Sequence, residues 1–189
     1  MVTAPSAARI RIRLPFAPTL PTLPAPTYKL DGRLAGLTVG LRHSRAWRSW
    51  LFIVDQWADR LRAGGARPEL LEVGERVGDE GSSTRSGVEG WVASVDCAIS
   101  GLGNCGSCTS WAVADAVAVE RAGKPSVAAV TGEFEHHARV MSSFLGHGDL
   151  KLLVLPYPLE GLKEDQLSEV AEDYYPRFLA ALGADCTSG

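Results

Sequence analysis

A chain of 189 residues holds enough material for one full hydrophobic core and too little for two comfortable ones. Apolar residues make up 46% and charged residues 22%, which excludes wholesale disorder, and no apolar run is long enough to span a bilayer, so no membrane partner is expected. The formal charge of -3 supplies no basic field for a phosphate backbone, so nucleic acid is not expected as a partner either.

The first 28 residues carry Arg9, Arg11 and Arg13, no acid, and prolines at 15, 18, 21, 24 and 26. Such a segment suits an extended, flexible arm, and the alternation of Ile10, Ile12 and Leu14 leaves open a short edge strand on a neighbouring subunit. From residue 29 to 189 a single domain is expected. Leu37–Leu41 reads as a buried strand, followed by a helix over 45–62 with Trp47, Trp50, Leu51, Val54, Trp57 and Leu61 at helical spacing. Glu69–Val73 reads as a second strand. The Gly/Ser/charged stretch 74–87 has no period and reads as a mobile loop, with a short helix assumed over 87–93 to complete the crossover. Strands are then expected at 95–99, 126–130 and 152–155, and helices at 110–122, 133–145 and 164–182, the last kinked near Pro176.

Five apolar strands alternating with helices predict an α/β protein: one three-layer α/β/α domain, with a doubly wound, flavodoxin-like sheet of five parallel strands. Ligands in such folds bind outside the carboxyl ends of the strands. That edge collects His43, Ser44 and Arg45 after the first strand, Cys105 and Cys108 after the third, Thr131 and Glu133 after the fourth, and Tyr157 after the fifth.

The run Gly103-Asn104-Cys105-Gly106-Ser107-Cys108 draws the chemistry to itself. A thiol attacks as thiolate, and a free cysteine with pKa about 8.5 is mostly protonated at neutral pH. The unpaired N–H groups at a helix start favour the anion, glycines let the backbone turn, and Ser107, Thr109 and Ser110 are natural caps. Cys105 is therefore expected to be a nucleophile and Cys108, three residues on, its resolving thiol. Asn104, Gly106, Ser107, Thr109, Ser110, His43, Arg45, Thr131 and Glu133 are candidates to bind the substrate. His43 is also a candidate base or anion partner, against the plainer role of an exposed polar residue. Cys97 reads as a core residue and Cys186 as incidental. A zinc site from Cys105, Cys108, His136 and His137 is disfavoured, because adjacent histidines diverge on a helix; no metal and no tightly bound cofactor are expected.

The same stretch, Gly103 to Trp111, resembles the signature of the UGSC family of proteins and selenoproteins, in which selenocysteine or cysteine holds the place of Cys105. The likeness extends through Asp115-Ala116-Val117, Glu120, Gly123-Lys124-Pro125, Thr131, Phe134, Ala138 and Pro156-Tyr157-Pro158, and upstream to Leu30-Asp31-Gly32. More distantly, the strand, turn and helix are similar to selenoprotein B of glycine reductase and to the matching proline reductase subunit. That similarity implies reductive cleavage of a carbon–heteroatom bond, with Cys105 as nucleophile and Cys108 as its partner.

An enzyme acting on a small electrophilic molecule is thus the leading expectation, with an external thiol or reductase as electron donor and reducing partner. The alternatives are thiol–disulfide exchange with protein partners, and a sulfur-carrying or non-catalytic subunit of a complex. A cytoplasmic setting is expected from the absence of a secretory signal and the paired thiols, while a homo- or hetero-oligomer stays open.

Overall fold

The computed structural model describes residue 30 and residues 32–184; the expected N-terminal arm and Cys186 lie outside them. Five strands form one sheet: β1 (Thr38–Ser44), β2 (Arg67–Val73), β3 (Cys97–Gly103), β4 (Ser126–Thr131) and β5 (Lys151–Leu155). All neighbours pair in parallel, in the order β2-β1-β3-β4-β5. The doubly wound order expected of this alternation is therefore present, with its switch point between β1 and β3.

Burial follows position in the sheet. Every residue of β3 and β4 is buried, and apart from Leu102 both strands are built from small or β-branched residues that fit between two helical layers. The edge strands β2 and β5 keep Arg67, Glu69, Glu72 and Lys151 beside their apolar residues, and β2 tolerates Pro68 because it is an edge.

Helices α1 (Arg48–Ala63) and α5 (Glu164–Leu182) pack together on one face. Trp50 and Trp57 are fully buried there, meeting edge to face at 5.6 Å, and Trp57 stacks on Phe178 at 5.0 Å. Each indole N–H finds a carbonyl: Trp50 donates to Arg42 at 3.1 Å and Trp57 to Ala171 at 2.7 Å. These tryptophans are core, as their helical spacing predicts. Pro176 lies inside α5, and the helix continues through it to a left-handed Gly183. Helices α2 (Gly78–Ser94), α3 (Gly106–Arg121) and α4 (Glu135–Phe144) belong to the other face, where Val113, Ala116, Val117, Ala128, Val130, Ala138 and Leu150 form a second core.

Two expectations are corrected. The stretch 74–87 is not a loop followed by a short helix over 87–93: α2 runs from Gly78 to Ser94. It shows no apolar period because only Gly81, Val88 and Trp91 are buried; acids at Asp79 and Glu80 suit its N-terminal dipole, and Trp91 anchors its end against β1. Gly40 is the reason Trp91 fits, since a Cβ there would overlap the indole. The second correction concerns α3, which begins at Gly106 and not near Ser110.

Candidate active site at the cysteine turn

The earlier start of α3 makes Cys105 itself the N-cap. Its backbone is extended, at φ -156 and ψ 170, and its Sγ accepts a hydrogen bond from the Cys108 N–H at 3.1 Å. Sulfur thus takes the place an Asp or Ser oxygen takes in an ordinary cap, and negative charge on it meets the positive end of the helix. The turn is held from beneath: Thr109 is fully buried, and its Oγ1 donates to the Cys105 carbonyl at 2.7 Å. Gly103 permits this approach, because a Cβ there would come within 2.8 Å of Val130 Cγ1 and 2.9 Å of Thr109 Oγ1.

Cys105 and Cys108 stand at disulfide distance, with Cα atoms 5.2 Å apart. Both are half-buried, and Ser107 Oγ lies 3.5 Å from the Cys105 sulfur. On the β4 side, Thr131 Oγ1 donates to Asn104 Oδ1 at 2.8 Å, tying the turn to the end of the fourth strand. Ser110 donates to the Gly106 carbonyl and stands 3.0 Å from His137 Nε2.

The chain belongs to the UGSC family. The family's model matches residues 13–184, and no curated protein matches the chain. In this UGSC protein Gly103 to Trp111 surround the start of α3, and the described residues contain no cluster of three or more metal-ligating side chains. His136 is exposed and His137 turns to Ser110.

A cleft of about 720 Å³ opens beside the turn, between the ends of β1 and β2, helix α2 and the first turns of α3. Cys108 lines it together with Ser107 and Trp111, whereas Cys105 is set back from its wall. Arg45 reaches the rim, where its Nε pairs with Glu72 at 2.6 Å. His43 does not join this group. It is buried, its Nδ1 has no partner, and burial lowers its pKa against the raising influence of Glu72 and Asp55. Glu133 is exposed in the short 3-10 turn that follows β4. Cys97 is a core thiol, pushed up to about 12 by burial and then by Asp96.

Sequence reasoning missed the charged floor of the cleft. Arg42, at the buried end of β1, donates through Nε to Asp115 Oδ2 at 3.0 Å and through Nη1 to the Gly101 carbonyl at 2.7 Å. Arg76, from the turn after β2, pairs with the same Asp115 oxygen, and its guanidinium lies over the Trp111 ring at 5.3 Å from the centroid. Burial lowers Arg42 to about 10, with Asp115 opposing and Arg76 adding to the shift, so it stays charged at neutral pH. A signal was present in the run Trp111-Ala112-Val113-Ala114-Asp115-Ala116-Val117: a lone acid in an apolar helical stretch needs a buried cation.

Proposed function

We propose that this UGSC protein is a thiol-dependent enzyme in which the Cys105 thiolate attacks an electrophilic carbon of a small substrate. The supporting observation is the N-cap: the Cys105 sulfur accepts a helix N–H, with Cys108 at disulfide distance and on the cleft wall. In the first step the sulfur displaces a heteroatom group from carbon, which leaves with the bonding electron pair, and a thioether forms on Cys105. In the second, the Cys108 thiolate attacks the Cys105 sulfur. The carbon departs as a carbanion stabilised by a neighbouring carbonyl and takes a proton, and a disulfide remains. An external dithiol returns two electrons and two protons to the pair. The sum is reductive cleavage of a carbon–heteroatom bond, and a reducing, cytoplasmic compartment suits it.

The cleft favours this over exchange with protein disulfides, because its volume falls in the range of small-molecule sites. Intact-mass analysis of the reduced protein with an α-halocarbonyl compound tests it. The adduct should accumulate on Cys105 in Cys108→Ser, and alkylation of Cys105 should titrate below about 8.5. Undiminished adduct formation in Cys105→Ser would refute the assignment.

A further inference from the structure

The two edges of the sheet differ in what they offer to a further strand. Arg67 N–H donates to the Leu37 carbonyl at 2.8 Å, so Arg67, Glu69 and Leu71 turn their backbone groups toward β1, and by the alternation of a parallel ladder Pro68, Leu70 and Glu72 turn theirs outward. Pro68, with no N–H to give, fits one of the outward positions. Among the described residues β2 has a neighbour on one side only, and Leu70 is 37% exposed. An apolar side chain beside open backbone groups is a place for strand pairing.

The side chains of this edge are sorted by face. Leu71 packs with Trp91 of α2, so the face it shares with Glu69 is the α2 face, where Glu69 accepts from Ser94 Oγ at 2.6 Å. Helix α2 carries Asp79, Glu80 and Glu89 against Arg85 alone, which makes that face acidic. Arg67, also on it, is turned to Thr38 Oγ1 at 3.2 Å. Leu70 lies on the opposite face, with Pro68 two residues before it. The other edge strand, β5, exposes Lys151, which repels a cationic strand.

The sequence holds a segment of matching pattern. Ile10, Ile12 and Leu14 alternate with Arg9, Arg11 and Arg13, with no acid in the first 28 residues. Residues 15–29 join it to Leu30, which packs in the core of α1 and α5. With prolines at 15, 18, 21, 24 and 26, a spacer of this length reaches about 45 Å when extended, against roughly 40 Å across a domain of this size, and its prolines resist a sharp return. We propose that residues 10–14 of a second copy add to β2 as a further strand, with Ile10, Ile12 and Leu14 on the Leu70 face and the three arginines on the acidic α2 face, each copy giving an arm and receiving one. Backbone pairing holds the arm, and the sorting of apolar and cationic rows fixes its register.

The test uses the full chain under reducing conditions and reads association by sedimentation equilibrium. The unaltered protein is expected to dimerise. Ile12→Pro, which touches no described contact, and Leu70→Asp, at an exposed position, should each raise the dimer Kd by about tenfold or more with the circular dichroism unchanged. Should Leu70→Asp disturb the strand, Glu69→Lys, which reverses a charge on the α2 face, takes its place with the same expected loss. Mixing the variants separates exchange between copies from docking within one. Ile12→Pro keeps an intact β2 edge and Leu70→Asp an intact arm, so a tagged pair of the two should associate more tightly than either does with itself. A chain that stays monomeric at every concentration reached, whether its arm rests on its own β2 or on nothing, would overturn the exchange. So would a dimer indifferent to the substitutions, or a mixture no tighter than its parts.

Discussion

Helix α3 carries two buried acids little more than a turn apart, and they are used differently. Asp115 receives two guanidiniums, one from β1 and one from the turn after β2, and this cluster faces a cleft. Glu120 receives one imidazole, from His147 at 2.8 Å, and both side chains are over nine-tenths buried. Around the second pair the backbone is closed: His147 N–H donates to the Ser142 carbonyl, Leu150 N–H to His147, and Arg121 to the Leu145 carbonyl. A buried acid with one partner and no opening fastens a turn, here the link from α4 to β5. A buried acid shared by two guanidiniums joins two elements at the wall of a cleft, and removing it strands both cations.

The largest effect that separates the two sites is expected at Asp115. Asp115→Asn leaves Arg42 and Arg76 facing each other without a counter-charge, Arg42 with a side chain 4% exposed. The cost should reach about 3–5 kcal/mol in denaturant unfolding. At the other site Glu120→Ala leaves an imidazole that has a neutral form, and the loss should be about 1–3 kcal/mol. Equal losses at both positions would mean that the cleft cluster fastens the fold in the same way as the closed turn does.

How far each region could be read from the chain follows from the same contrast. The central strands, α1 and α5 were legible because apolar periodicity reports burial, and one face of those strands shares a core with both helices. The cysteine turn was legible because glycines, cap residues and two thiols sit side by side in sequence, though its N-cap proved to be the sulfur of Cys105. Helix α2 was not legible, since Gly78, Gly81, Gly87 and Gly90 weaken helix propensity and most of its surface meets solvent. The floor of the cleft was hidden for another reason: Arg42, Arg76 and Asp115 meet across 73 and 39 residues of sequence, which no local pattern records.

The smallest effect is a pH dependence confined to the Glu120 site. Burial raises the Glu120 carboxyl above its ordinary 4.5, and the hydrogen bond and charge of His147, then Lys151, pull it partly back while Asp149 adds a little. The folded state therefore holds this proton more tightly than the unfolded chain does. Its contribution to stability is complete below about pH 4.5, the unfolded value, and is lost as pH rises through the folded value. Glu120→Gln keeps a hydrogen-bonding partner for His147 and has no proton to lose. Unfolding free energies measured from pH 4 upward should thus show the unaltered protein losing ground to Glu120→Gln as the solution approaches neutrality. A difference that stays flat, or that grows in favour of the carboxylate, would mean that the His147 contact outweighs burial and that this pair too is held together by charge.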